Sequence, residues 1–205
     1  MSARSQTGKS STETVVHINA VEPSSFAQLA EELNRVRASL TRGEVHNAVV
    51  QLVCLQSEYP GHEAVSELLG SAHLLALRSS DAIRVASAAL REHPDSLPLH
   101  RLMYRAAAEA RDGALAERSL LEIARLAPAD GKCLEQLADL QRYNGRIEEA
   151  IVNYRSALER DCSLLGAFQN LSGCLIQCGR FEEAIEVCQS CAEVHARSLE
   201  ALASG

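Results

Sequence analysis

The segments GRIEEAI, residues 145–151, and GRFEEAI, residues 179–185, differ at one position and lie 34 residues apart. The same interval separates Pro60, Pro94 and Pro128, and it places an alanine at 48, 82, 116, 150 and 184. Gly43, Gly145 and Gly179 fall on the same comb. Three residue types in one register mark a supersecondary unit stacked on copies of itself.

Within each period the apolar residues recur at helical spacing. In the fourth unit Leu134, Leu137, Ala138 and Gln141 share one helix, which Gly145 ends by supplying the backbone freedom that a helix C-terminus favours. Ala150, Tyr154, Ala157 and Leu158 mark a second helix. The fifth unit repeats the pattern with Phe168, Leu171, Ser172 and Leu175, then Gly179, then Ala184, Cys188 and Cys191. Each unit is predicted to be a helix–turn–helix hairpin.

Composition agrees with a helical chain. Apolar residues make up 46% of 205, mostly Ala, Leu, Val and Ile, with 3% aromatics, no Trp and five prolines. Ala and Leu are strong helix formers. A net charge of -7 repels phosphate backbones and few aromatics are available for stacking, so no nucleic-acid partner is expected. No apolar run approaches the roughly 20 residues of a membrane span, so no membrane partner is expected either. The first residues carry no apolar signal core. Seven cysteines, an odd number in a chain this large, argue against a disulfide framework and for a reduced, cytoplasmic setting.

This sequence resembles the tetratricopeptide repeat (TPR) family, whose 34-residue pattern has Leu at slot 7, a small residue at 8, Gly at 15, Ala at 20 and Pro at 32. Five units follow from that register: 29–62, 63–96, 97–130, 131–164 and 165–198. The resemblance implies an all-α fold, a right-handed α-solenoid of tandem hairpins over 23–198. It covers most of the chain and is strongest in the last two units. Slot 15 departs from it at Leu77 and Arg111, and slot 4 at Glu32, Ser66 and His100. The apolar stripe of the first unit (Leu29, Leu33, Val36, Leu40) is staggered from the family register.

Residues 1–22 read as a disordered polar tail, followed by an N-cap at Ser24 or Ser25. Residues 199–205 read as the start of a further repeat or a truncated cap. Arrays need a polar-faced cap, so an additional C-terminal domain is the favoured expectation.

No catalytic constellation emerges. ARSQTGKS, residues 3–10, has the loose form of a phosphate-binding loop but lacks the preceding strand that such a loop requires. The seven histidines form no i,i+4 pair with one another or with a cysteine. Glu148 and Glu149 open a second helix, where carboxylates favour the dipole. In CLIQCGRFEEAIEVCQSC, residues 174–191, register places Cys174 and Cys191 in small slots, Cys188 at buried slot 24 and Cys178 beside the turn. Cys188 and Cys191 are expected to point into their own hairpin, and Cys174 and Cys178 toward the preceding unit. No catalytic, cofactor-binding or metal residue is predicted.

The resemblance also implies that the first helices line a concave groove. Its slots fall here on Asn34, Arg37, Glu67, Ser71, Arg101, Arg105, Lys132, Glu135, Gln136, Asp139, Arg142, Tyr143, Gln169 and Asn170. One reading has Arg101 and Arg105 gripping an acidic peptide, with Asn34 and Asn170 bonding its backbone. The other pairs Arg101 with Glu67 and Glu135, and Arg105 with Asp139, in a ladder across neighbouring helices. The lysine and asparagine clamp that binds chaperone tails is absent. The function expected is a non-enzymatic scaffold holding a protein or peptide partner in the groove. The alternative is the N-terminal region of a larger enzyme, such as a sulfotransferase or glycosyltransferase.

Overall fold

The computed structural model describes residues 23–203, and within them the chain forms ten helices in five antiparallel hairpins. The hairpins are α1 (Pro23–Thr41) with α2 (Val45–Glu58), α3 (Glu63–Leu75) with α4 (Ser79–Glu92), and α5 (Leu97–Glu109) with α6 (Gly113–Leu126). They continue as α7 (Gly131–Tyr143) with α8 (Ile147–Arg160) and α9 (Leu165–Gln177) with α10 (Phe181–Ala203). Each packs on the next along one axis, giving an α-solenoid with no strand among the described residues. The polar tail and residues 3–10 lie outside the described residues.

The periodic residues explain why the units look alike. All five slot-20 alanines are at most 4% exposed, because each sits where a second helix crosses its neighbours. A small side chain there lets helix axes close to about 8–10 Å. The turns inside the hairpins share a left-handed residue, with φ +82° at Gly43, +77° at Gly145 and +72° at Gly179. The same conformation is forced on Leu77 and Arg111, both at φ +58°. Two first helices are capped by the side chain of the preceding residue, Ser96 Oγ accepting from Leu99 N at 3.2 Å and Asp130 Oδ1 from Cys133 N at 3.0 Å, while Asp112 does the same for the second helix α6.

Three expectations are corrected. Helix α1 begins at Pro23, with the proline at a position the first helical turn tolerates, so Ser24 and Ser25 lie inside the helix rather than at its cap. Residues 199–203 continue α10 instead of starting a new helix. The earlier second helices stop before Pro60, Pro94 and Pro128, or at the Asp161–Ser163 turn. Slot 32 of the fifth unit is Ala196, in a run of helix formers without Pro or Gly, so nothing breaks α10 there.

The third correction concerns Cys188, which is exposed rather than buried, with Cys191 only half-buried. Slot 24 faces the first helix of the following unit, which is why Tyr154 at the same slot is 0% exposed and packs with Leu171 and Cys174. No described helix covers that face of α10, so Cys188, Ile185 and Phe181 meet solvent. Cys174 is buried and Cys178 exposed, and both thiols lie within the electrostatic reach of unit-four residues, Arg142 and Asp139 for Cys174 and Glu148 for Cys178. Among the described residues no three His, Cys, Asp or Glu side chains converge as metal ligands would.

Candidate functional site

Spacing between successive first helices follows the size of the slot-8 residue. Slot 8 is Val36 in α1, Gly70 in α3, Tyr104 in α5 and Ala138 in α7. At Gly70 the next helix comes so close that an added Cβ would lie 2.4 Å from Leu102 Cδ2. Helices α1 and α3, α3 and α5, and α7 and α9 all approach within 8 Å between Cα atoms; α5 and α7 do not. Tyr104 is the reason: its ring stands half-buried against Leu120, Ile123, Cys133 and Leu137, and no helix can close over a phenol as it closes over a glycine.

The result is a furrow between the third and fourth units, made of two clefts of about 360 and 620 Å³ that meet at Tyr104 and Gln136. The smaller is basic, lined by Arg101, Arg105 and Lys132 with Asp130. The larger is more apolar, with Ala107, Ala108, Leu140 and Tyr143 beside Arg111, Asp112 and Asp139.

Hydrogen bonding commits every carboxylate in this furrow to an internal partner. Asp130 takes Arg101 Nη2 at 2.8 Å and also caps α7. Asp112 caps α6. Asp139 accepts from Tyr154 Oη at 2.5 Å and from Asn170 Nδ2 at 2.8 Å. Burial, and then that pairing, pushes the Tyr154 phenol well above its ordinary range, since ionising it would set an unsolvated negative charge beside Asp139. Burial and Asp139 raise Tyr104 in the same direction. The cations are not all matched: Arg105 and Arg111 are exposed and ion-pair with no described residue.

The expected charge ladder is therefore replaced by a different one. Arg101 pairs with Asp130 rather than with Glu67 or Glu135, and Asp139 is taken by Tyr154 and Asn170 rather than by Arg105. Glu135 is only 4% exposed; it pairs with Lys132 on its own helix and lies over Gly166, where an added Cβ would come within 2.5 Å of its carboxylate. Glu135 is thus part of the α7–α9 contact and not of an open face. Its neighbour raises the Lys132 ammonium above the usual lysine range, and buried Cys133 has its thiol pushed up to about 11 while donating to Leu120 O.

The remaining predicted groove residues spread along the array. Asn34, Arg37 and Gln169 are exposed, and Ser71 is half-buried. Glu67 faces a separate cleft of about 690 Å³ at the turn between the first two units. Arg142 is exposed and bonds Tyr154, and Tyr143 is 87% exposed at the mouth of the furrow. Arg101, Arg105, Lys132, Gln136, Asp139 and Tyr143 are the six that the fold gathers in one place. Sequence reasoning missed Tyr104; a bulky residue in a slot meant for a small one was the available signal.

The tetratricopeptide repeat model matches residues 131–161 and 165–194. Those two segments are tetratricopeptide repeats. Its hairpin array is similar to solved structures of the MamA protein. One shares 15% identity over 83% of this chain and 93% of that one, with a TM-score of 0.75. A second, MamA residues 41 to the end from Desulfovibrio magneticus RS-1, shares 17% over 82% and 95%, at a TM-score of 0.71. Identity that low shows the tetratricopeptide-type fold alone. No curated protein matches the chain. The matched repeats are the fourth and fifth units, whereas the third unit has Arg111 and Tyr104 in family slots for small residues.

Proposed function

We propose that this chain is a non-enzymatic scaffold that holds a segment of a protein partner along the face formed by its first helices. The observation that carries the reading is the row of polar side chains on that face with unspent bonding capacity. Arg37 and Arg105 are exposed and ion-pair with no described residue, and Asn34 and Gln169 are exposed beside them in the array. On the opposite side the cations are largely spent on structure: Arg146 pairs with Glu117 at 2.6 Å and Arg180 with Glu148 at 3.2 Å, stitching second helices of successive units together.

Seven free cysteines are compatible with a reducing, cytoplasmic setting. Among the described residues no helix is long and apolar enough to cross a membrane. The expected mechanism is recognition without chemistry, in which partner side chains find preformed donors and clefts at little ordering cost. An Arg37→Glu/Arg105→Glu double variant should keep its thermal unfolding and lose its partners in affinity capture. Undiminished capture of every partner would remove this face from the function.

A further inference from the structure

We propose that the furrow between α5 and α7 is a recognition subsite for an extended peptide carrying an acidic side chain two positions from a large apolar one. This rests on the reading of the first-helix face as a partner-binding surface, and adds to it where the partner is read and by what chemistry. Three observations converge on the furrow. It is the one place among the described first helices where neighbours fail to close, because Tyr104 holds them apart.

Its charge is biased as well. In a chain of net charge -7, each furrow carboxylate is already bonded within the fold, while Arg105 and Arg111 ion-pair with no described residue. In the smaller cleft Arg101, Arg105 and Lys132 stand against Asp130 alone, so a ligand entering beside Arg105 meets a guanidinium with free donors, and this end of the furrow selects for negative charge. A guanidinium is suited to that task, since it can hold a carboxylate by two parallel hydrogen bonds.

The third observation is the apolar shelf. Ala108 lies one turn beyond Arg105 on α5, and with half-buried Leu140 it forms an apolar wall beside the exposed ring of Tyr143. One helical turn is about 5.4 Å. Two residues of extended peptide span about 6.6 Å, and side chains at i and i+2 share a face. A carboxylate on Arg105 therefore sets the side chain two residues away over the shelf, where an aromatic or branched aliphatic group would displace water from Leu140 and Tyr143.

Tyr104 is the positioning residue, acting through the distance between helices. With a small residue at this slot, α5 and α7 should close as α3 and α5 do around Gly70. The furrow would narrow with no change in its charges.

A displayed library of ten-residue random peptides selected on the full chain tests the proposal. Enriched sequences should share an Asp or Glu two positions from Leu, Ile, Phe or Tyr. The synthetic peptide of best affinity, read by fluorescence anisotropy, should weaken at least tenfold with Arg105→Glu and with Tyr104→Ala. Tyr104→Phe, which keeps the wedge, should bind as the parent does, and this separates a lost furrow from a misfolded variant. Spin labels on α5 and α7 should move closer in Tyr104→Ala. Enriched peptides that are basic, or indifferent to both Arg105→Glu and Tyr104→Ala, would overturn the furrow. If such peptides instead lose affinity with Asn34→Ala and Gln169→Ala, the partner-binding face stands and only the subsite falls; a library yielding no binder would overturn both.

Discussion

At Leu77 and Arg111 the repeat asks for glycine and receives a side chain. Both sit at φ +58° with the same pair of turn hydrogen bonds as Gly145: Leu77 N to Leu74 O at 2.8 Å and Arg78 N to His73 O at 2.8 Å, against Gly145 N to Arg142 O at 3.1 Å and Arg146 N to Gln141 O at 2.9 Å. A residue with a Cβ costs about 1–2 kcal/mol in that conformation, and Leu77, 88% exposed, recovers almost none of it by packing. Leu77→Gly should therefore stabilise the protein by about 0.5–1 kcal/mol after the extra entropy that glycine loses on folding, read as a higher midpoint in urea. Unchanged or lower stability would mean that the turn is not strained.

His73 is the other residue whose environment conflicts with its chemistry. It is 5% exposed in the last turn of α3, and its Nδ1 has no hydrogen-bond partner. Burial lowers its pKa, Arg78 and Arg84 lower it further, and Asp81 opposes them. A histidine depressed in the folded state favours folding in its neutral form. Its contribution is complete above the unfolded value of about 6.5 and is lost as pH falls below that toward the folded pKa. Thermal stability should fall as pH drops below about 6.5, and His73→Leu should flatten that part of the curve. An identical slope in the variant would assign the loss to other groups.

Among the elements, second helices close the hairpins through their alanines, and this part of the fold was fully legible in the sequence. The five alanines at 34-residue intervals are all buried, since no larger side chain fits where two helix surfaces cross. Ala150→Leu should overpack that crossing and cost about 1–3 kcal/mol, seen as a lower unfolding temperature without loss of helix signal at 20 °C. What the sequence did not disclose depended on neighbours outside a unit. Cys188 has the register of a buried residue and is exposed because no described helix lies beyond α10. Glu135 has the register of a groove residue and is buried because Gly166 of the next helix makes room for its carboxylate. Helix α10 runs to Ala203 because no proline stops it; position 196, where earlier units carry proline, is alanine.

Across the whole molecule one departure from the repeat matters more than the regularity around it. The other described first helices close on their neighbours, and the proposed subsite lies where Tyr104, in a slot meant for a small residue, keeps α5 and α7 apart. The groove residues carried over from the family were spread along the array, and the structure gathers six of them around that ring. Which side chains are free to bind was not legible, since it follows from contacts that the repeat pattern does not encode, such as Arg101 with Asp130 at the far end of its own unit and Asp139 with Asn170 of the next unit. The most direct test of partner binding on the first-helix face is site-specific photo-crosslinking in cells, with a benzophenone amino acid placed in turn at Gln136 on the furrow floor, at Gln169 on α9 and at Val152 on the exposed side of α8. Crosslinks to the same partner from positions 136 and 169 but not from 152 are the expected result; crosslinks from 152 alone would contradict it.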